Sequence, residues 1–345
     1  MENNENERGS TTLYDVAREA GVSPMTVSRV INGRNHVSPT TRAKVLLVME
    51  RMNYQVNVAA RAARIGALRV GLLYSNPSAA FQSAFLAGAT AQCSLNGAEL
   101  VMAHCEDMGS QRATIDKLIA LGVDGVLVPP PLCDSPPALK HLEQLAMPFV
   151  AVATARPASS VSAVRIDDYA GARTMTEYLI SLGHTDIGFI KGDPEHTPAQ
   201  LRYKAFRDVM EEAKLPVSVD RIAHGMFTYR SGLMAARELL SQPTRPTAIF
   251  ASNDDMAAAA VAVAHGLHLH LPDDLAICGF DDTPVATTVW PELTTIRQPI
   301  SDLARNAVDM VLEQIRERRA GRAPQPQHRL MPYTLEVRDS TGPLG

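Results

Sequence analysis

The sequence predicts an α/β protein with three parts: a small helical head, a short linking helix, and a two-lobed body with parallel sheets. Residues 12–32 carry the apolar spacing of two short helices joined by one tight turn. Residues 57–66 are rich in alanine, which favours a helix. From Leu68 onward, short β-branched runs alternate with longer helical segments, which is typical of parallel strands joined by crossover helices.

The first two helices have the pattern of a helix-turn-helix. An apolar stripe with i, i+3, i+4 and i+7 spacing lines the first helix and consists of Leu13, Val16, Ala17 and Ala20. Gly21 ends this helix. Ser23 suits the N-cap of the second helix and Pro24 its first helical position, and Asn32 precedes a glycine stop.

The second helix predicts an inner and an outer face. The inner face consists of Val27, Val30 and Ile31, and the outer face of Pro24, Met25, Ser28, Arg29 and Asn32. A polar leading end on an apolar support is what a DNA major groove admits, although amphipathic helix pairs also occur in proteins that never bind DNA. Ser38 and Pro39 start a third helix, with inward positions Val45, Val48, Met49 and Met52.

Charge is unevenly distributed along the chain. The formal net charge is −4, but residues 8–69 hold ten cationic side chains against three carboxylates. The body is therefore acidic and the head basic. This distribution fits a protein that presents one end to phosphates and keeps the other end away from them.

The head resembles a known family. Four segments resemble the head signature of the lactose/galactose repressor (LacI/GalR) family of bacterial transcriptional regulators: Leu13–Ala17, Ala20–Ser23, Thr26–Asn32, and Val37-Ser with Thr41-Arg. The resemblance implies a DNA-binding head over residues 12–56, after a disordered tail of residues 1–11. The head residues expected to contact DNA are Tyr14, Ser23, Pro24, Met25, Thr26, Ser28, Arg29, Asn32 and Val37. Arg29 is the expected guanine reader, and Met25 offers apolar contact to a thymine methyl.

Residues 57–66 correspond to the family's hinge, which becomes helical when two copies pair on the DNA minor groove. Asn57 suits an N-cap, but a helix this short is unstable alone in water. The resemblance implies DNA contacts by Asn57, Arg61 and Ala63. The family usually has proline at Val56 and, at Ala63, a leucine that wedges between base pairs. We therefore expect this hinge to dock but to bend DNA less; an ordinary connector is the alternative.

The body predicts eight strands, a hairpin-like tail and two lobes. The predicted strands are Leu68–Tyr74, Glu99–His104, Gly125–Val128, Phe149–Val152, Val164–Ile166, Ile187–Lys191, Thr247–Ala251 and Leu275–Phe280, and the helices between them include Ala170–Leu182 and Met256–His265. The chain is expected to cross between lobes in the early 160s, near 295–299 and around 321–327, as in periplasmic sugar-binding proteins and in the family body. Lobe 1 is then about 67–165 with 298–322, and lobe 2 about 166–297 with 323–341.

Ligands of open parallel sheets bind beyond the carboxyl ends of the strands. This rule selects the segments 76–81, 167–168, 192–197, 252–254 and 281–283. A sugar needs polar partners for its hydroxyls, here Arg202, Asn253 and Asp281, and aromatic faces for its C–H surface, here Phe81 and Phe227. Positions matching Arg202, Phe227, Asn253 and Asp281 contact the effector in the family.

Each of these residues has a structural alternative. Arg202 could be a surface charge, the two aromatic residues could be core, and Asn253 or, preferably, Asp254 could cap the following helix. No arginine accompanies His196, so we favour a neutral sugar over a purine effector.

No common catalytic signature occurs, so we expect no enzyme activity and no cofactor. His265, His268 and His270 form the one local cluster of metal-ligand types, and their spacing fits no familiar site, so no metal is expected. Four scattered cysteines indicate a reducing compartment. Residues 1–11 lack an apolar leader and no run is long enough to span a bilayer, which predicts a cytoplasmic protein without membrane contact.

The combined prediction is a transcriptional regulator, most simply a sugar-responsive repressor, that binds a palindromic operator as a homodimer. No heptad-repeat tail follows Thr341, which favours a dimer over a tetramer. Four alternatives stay open: a purine effector, co-repression instead of induction, a sugar-binding or sugar-modifying protein with a fused helix-turn-helix, and a transport solute-binding module.

Overall fold

The structure is a computed structural model, and it describes residues 13–31, 37–52, 68–75, 78–106 and 109–344. The chain divides into two compact units, residues 1–66 and residues 67–345. Four site predictions lie outside the described residues: Asn32, and the hinge residues Asn57, Arg61 and Ala63. Within the described part, no helix combines the length and apolar character needed to cross a membrane.

The head contains three helices, α1 (Leu13–Ala20), α2 (Pro24–Ile31) and α3 (Pro39–Arg51). Its core consists of Val16, Ala17, Ala20, Val27, Val30, Val45 and Val48. Both predicted caps form, because Ser23 Oγ accepts from the Thr26 amide and Ser38 Oγ from the Thr41 amide, each at 3.1 Å. Gly21 ends α1 with φ +62°, a conformation that glycine adopts without steric cost. The predicted helix-turn-helix is confirmed.

Lobe 1 is a parallel sheet covered on both faces. Its strands in chain order are β1 (Leu68–Tyr74), β2 (Ala98–His104), β3 (Gly125–Val128), β4 (Phe149–Val152), β5 (Ser162–Arg165) and β11 (His328–Leu330). Its helices are α4 (Ala79–Leu95), α5 (Gln111–Ala120), α6 (Pro136–Gln144) and α11 (Ile300–Arg319). Helices α4 and α11 pack on one face and α5 and α6 on the other. Burial on both faces explains why the strands read as continuous apolar runs.

Lobe 2 repeats this plan with four parallel strands. These are β6 (Ile187–Lys191), β7 (Ile222–His224), β8 (Ala248–Ala251) and β9 (Ala276–Cys278), in the spatial order β7-β6-β8-β9. The covering helices are α7 (Asp168–Ser181), α8 (Thr197–Glu212), α9 (Tyr229–Leu240) and α10 (Asp254–Gly266). Strand β7 escaped prediction because three residues carry too little periodicity to detect. The predicted α/β fold class with parallel sheets is confirmed.

The chain passes between the lobes three times. The first passage follows β5, and the second follows β10 (Thr295–Arg297) and enters α11. The third was predicted around 321–327, but β11 pairs in parallel with β5, so this passage comes after Leu330. Residues 323–330 therefore belong to lobe 1. The tail is also no hairpin, because the next strand, β12 (Thr334–Glu336), pairs with β10 instead of β11.

Candidate functional site

The outer face of α2 presents few side chains that the structure describes. Met25 is 63% exposed, and Pro24 and Thr26 are half-buried beside it. The side chains of Tyr14, Ser28 and Arg29 lie outside the described residues. Val37 is half-buried and packs partly against the head core. The described part of the predicted reading face is thus the start of α2, where Met25 is the exposed side chain.

Ser23 allows capping to be separated from phosphate contact. Ser23→Ala removes the acceptor for the Thr26 amide and should cost the head about 1 kcal/mol of stability. Ser23→Asp keeps a capping oxygen but adds a negative charge at the helix end that is predicted to face DNA, so it should retain stability and weaken operator binding. Thermal melts and DNA titrations of both variants check this. Equal operator affinity for wild type and Ser23→Asp would contradict a location near the phosphates.

All five predicted effector residues line one cavity between the two lobes of the body. The cavity is lined by Ser78, Phe81, Pro130, Pro131, Ala153, Asp193, His196, Pro198, Arg202, Phe227, Asn253, Asp281 and Gln298. Its space is about 490 Å³ including the open mouth, which is within the range of small-molecule sites.

Arg202 is the fixed cation of the cavity. Its side chain is 5% exposed and forms an ion pair with Asp168, at 2.8 Å from Nη2 to Oδ1. Its Nη1 donates to the Ser252 carbonyl at 2.6 Å and lies 3.5 Å from Asp281. The guanidinium also stacks on Phe280, at 3.6 Å from the ring centroid. Arg202 is therefore a buried, oriented group, which excludes the surface-charge alternative.

Asp281 completes this buried charge cluster at an unusual backbone position. Its φ is +110°, a value that residues with side chains rarely adopt and that functional sites often hold. Gln298 Nε2 donates to its carboxylate at 2.5 Å. Burial raises the pKa of Asp281 to about 7, against the opposing effect of the Arg202 charge. Burial also raises the pKa of Asp168. The cluster holds two carboxyl groups, those of Asp168 and Asp281, against the single guanidinium of Arg202.

The raised pKa of Asp281 predicts a pH dependence of stability. The folded state keeps this proton up to about pH 7, whereas an unfolded aspartate loses it near pH 4. The stabilisation is therefore complete below about pH 4 and is lost as pH rises through 7, by at most about 1.4 kcal/mol per pH unit. Asp281→Asn should flatten the fall in melting temperature between pH 5 and 8. Exposed Asp273→Asn is the control and should leave the profile unchanged.

The aromatic side chains belong both to the cavity wall and to the core. Phe81 and Phe227 are 6% and 8% exposed and pack into the cores of lobe 1 and lobe 2 respectively. Phe227 has φ +57°, and a Cβ on Gly192 would lie 2.1 Å from its ring, so only glycine fits beside it. These rings are therefore part of both the core and the cavity wall, and their contact with a ligand stays a prediction.

Asn253, not Asp254, is the N-cap of α10. Its Oδ1 accepts from the Met256 amide at 3.0 Å and its Nδ2 donates to the Phe227 carbonyl at 3.1 Å. The expectation that Asp254 caps this helix is wrong. Asp254 is fully buried and accepts hydrogen bonds from Thr283 and Thr295 instead. Asn253 thereby ties the helix end to the strained turn that carries Phe227.

Among the described residues, hydrogen bonds cross the cleft at Thr197 and at Ser78. Asp134 of lobe 1 accepts from the backbone amide and the hydroxyl of Thr197 of lobe 2, each at 2.9 Å. On the other side, Ser78 of lobe 1 donates to Asp255 of lobe 2 at 2.8 Å. Burial raises the pKa of both carboxyl groups, and the hydrogen bonds oppose that rise. These contacts hold the lobes together, so a ligand that spreads the lobes must break them.

Two segments of the chain match known families. Residues 12–57 match the bacterial regulatory proteins of the lacI family, and residues 176–341 match a periplasmic binding protein-like domain. The chain is 35% identical to the HTH-type transcriptional regulator DegA of Bacillus subtilis (strain 168), over 97% of this chain and 99% of DegA.

The chain belongs to the lacI family. It is therefore a DNA-binding transcriptional regulator, and the resemblance noted in the sequence is confirmed. The fold of the whole chain agrees. A transcriptional regulator CelR–cellobiose complex has 30% identity and a TM-score of 0.72, covering 96% of this chain and 99% of CelR. A lac repressor dimer bound to operator and the anti-inducer ONPF has 28% identity and a TM-score of 0.71, covering 97% and 100%.

Several cavity residues of this lacI-family protein escaped individual prediction. Ser78, Asp193 and His196 lie in segments that the strand-end rule selected, so that rule located them without naming them. Gln298 lies on the second passage between lobes, where a rule about strand ends gives no signal. Pro130, Pro131 and Ala153 of lobe 1 follow β3 and β4, where the strand-end rule places ligand contacts. Their apolar side chains do not indicate a polar ligand.

His196 is the most unusual of these residues. It is buried, and neither ring nitrogen has a hydrogen-bond partner among the described residues. Burial, with the Arg202 charge, lowers its pKa to about 3, so the imidazole is neutral at physiological pH. Its ring lies edge-on to Phe227, with 5.3 Å between the centroids. A buried imidazole without partners carries a desolvation cost that a bound group would relieve.

Proposed function

We propose that this protein is a sugar-responsive repressor that binds a palindromic operator as a dimer in the cytoplasm, with the interlobe cavity as its effector site. The observation that carries the proposal is the convergence of Arg202, Asn253, Asp281 and two phenylalanines on one cavity that spans both lobes. These residues come from distant parts of the sequence. A ligand there contacts both lobes and can therefore change their separation.

The charges of the cavity favour a neutral ligand. Arg202 is the one cationic side chain among the described lining residues, and Asp168 already neutralises it. An anionic effector would therefore find no available cation among the described lining residues, and it would meet the acidic side chains Asp193 and Asp281. Polar groups beside phenylalanine rings suit a sugar, which presents hydroxyls on its edge and C–H groups on its faces. The cellobiose complex of the similar regulator supports the same class.

We infer the dimer from the twofold symmetry of a palindromic operator. Two heads on two half-sites bind cooperatively only if the bodies hold them together. The similar lac repressor binds its operator as a dimer. An effector acts if it favours one lobe arrangement by about 1–3 kcal/mol. If the ligand acted as a co-repressor, its binding would raise operator affinity instead of lowering it, and the ligand site would be the same.

The test is fluorescence anisotropy with inverted-repeat duplexes from the DNA flanking the coding sequence, with a random duplex as control. We expect a clear preference for one inverted repeat that one member of a neutral-sugar panel shifts. Absence of any such preference would overturn the proposal. Incubation of the same sugars with protein and ATP, followed by mass spectrometry, tests the rival sugar-modifying enzyme, for which we expect no turnover.

Arg29→Ala probes the base reader. It should cost about 1–3 kcal/mol of discrimination between operator and mismatched sites. Arg18→Ala removes the same charge from the exposed surface of α1 and is the matched control, because loss of a phosphate contact weakens all sequences equally. Unchanged specificity in Arg29→Ala would remove this residue from the role of reader.

A further inference from the structure

One cluster of metal-ligand side chains joins the two lobes beside the cavity. Cys133 and Asp134 lie in a short 3₁₀ turn that follows β3 in lobe 1, and His196 precedes α8 in lobe 2. One ligand atom from each residue lies within 4.8 Å of the other two. Because His196 lies more than 60 positions from the other two residues in the sequence, no local motif could reveal the cluster.

His196 supplies an independent indication of a ligand. The residue is 9% exposed, and both ring nitrogens are buried without a partner among the described residues. A neutral imidazole has a free lone pair, which is the form that binds metals. A buried histidine whose role is only structural usually donates at least one hydrogen bond. The unpaired ring nitrogens of His196 therefore indicate that the imidazole binds a ligand on the side of the cluster.

We propose that Cys133, Asp134 and His196 bind a divalent transition metal ion, with zinc the best match, and that this ion joins the two lobes. One sulfur, one nitrogen and one carboxylate oxygen form a ligand set that zinc accepts readily. On binding, the Cys133 thiol releases its proton to solvent and the thiolate coordinates the ion. Tetrahedral zinc places its ligand atoms roughly 3.3–3.8 Å apart, and the three ligand atoms of the cluster lie within 4.8 Å of one another.

The surroundings of Asp134 favour this role. Its carboxylate accepts hydrogen bonds from the hydroxyls of Thr154 and Thr197, at 2.7 and 2.9 Å, which fix its orientation as outer partners of metal ligands do. Three donors, the two hydroxyls and the Thr197 amide, occupy three of the four lone pairs of the carboxylate and leave one for an ion. His196 also lines the cavity, so the proposed site borders the effector site.

The test uses the full-length chain without an affinity tag, stripped with a chelator and titrated with Co²⁺. We expect one equivalent to bind, with the intense d–d absorption of a tetrahedral site and a near-ultraviolet thiolate-to-cobalt charge-transfer band. Zn²⁺ should displace Co²⁺ and raise the melting temperature. Absence of saturable binding in the wild type would overturn the proposal.

Three variants locate the site. Cys133→Ser should abolish the charge-transfer band, and His196→Gln should weaken Co²⁺ binding at least tenfold. Cys93→Ser is the matched control, because Cys93 is another buried free cysteine of lobe 1 and lies outside the cluster. A band that persists in Cys133→Ser, or one lost equally in Cys93→Ser, would refute the assignment. Asp134→Asn is a further readout if Cys133→Ser folds poorly, and it should weaken Co²⁺ binding while the charge-transfer band remains at saturation.

Discussion

Arg202→Met should abolish the response to the effector while the head still binds operator. The substitution keeps an apolar stem against Phe280 but removes the guanidinium that Asp168 and Asp281 hold in place. A charged hydrogen bond to a ligand is worth about 1.5–3 kcal/mol. We therefore expect effector affinity to fall roughly 100-fold, which corresponds to about 2.7 kcal/mol. Titration of the sugar identified in the panel, by calorimetry and by release from operator, measures the loss.

A second variant separates loss of effector binding from unfolding caused by Arg202→Met. Arg202→Met leaves the buried Asp168 without its cation, and an unpaired buried charge costs about 3–5 kcal/mol. Adding Asp168→Asn removes that charge, so the double variant should regain most of the melting temperature. It should not regain effector binding. A stable double variant with wild-type affinity for the sugar would show that Arg202 is structural only.

Val27→Asp should have the opposite effect, with loss of operator binding and retention of effector binding. Val27 is completely buried in a small head core that has seven buried side chains among the described residues. Burying a carboxylate there without a partner costs several kcal/mol, more than so small a core tolerates. The body forms a separate compact unit with its own cores, so it should stay folded. We expect operator affinity to fall at least 100-fold.

The control for this variant is Leu47→Asp, which adds the same charge at a position 63% exposed on α3. Both variants change the charge of the head by the same amount, so the difference between them isolates unfolding of the head. Circular dichroism and sugar titration complete the comparison. If Val27→Asp bound operator as well as Leu47→Asp, the three-helix core would not be required for DNA binding.

Local signals explain which parts of the fold the sequence could predict. The helices of the head were predictable because cap residues such as Ser23 and Ser38 act within one turn of their own position. Strands β3, β4 and β8 were predictable because burial on both faces requires unbroken apolar runs. Strand β11 was not predictable, because its three residues form a strand only by pairing with β5, which is far away in the sequence.

The residues of the candidate site likewise divide into features that the sequence predicts and contacts that it does not. The chemical type of Arg202 and the strand-end position of Asp281 are visible in the sequence and indicate a ligand contact. Their partners were not predictable, since Asp168 and Gln298 meet them only through packing of separate elements. The choice of Asn253 over its neighbour as N-cap likewise depended on backbone geometry.

The amino-acid sequence by itself determined the helix-turn-helix head, the parallel body and the family, because these depend on periodicity, caps and motifs that act within a few residues. Only the tertiary structure decided which side chains share the cavity, how the buried carboxyl groups are neutralised, and that Cys133 and Asp134 meet His196. The physical reason is that burial and contact between distant residues arise when the lobes pack, and no local pattern encodes those distances.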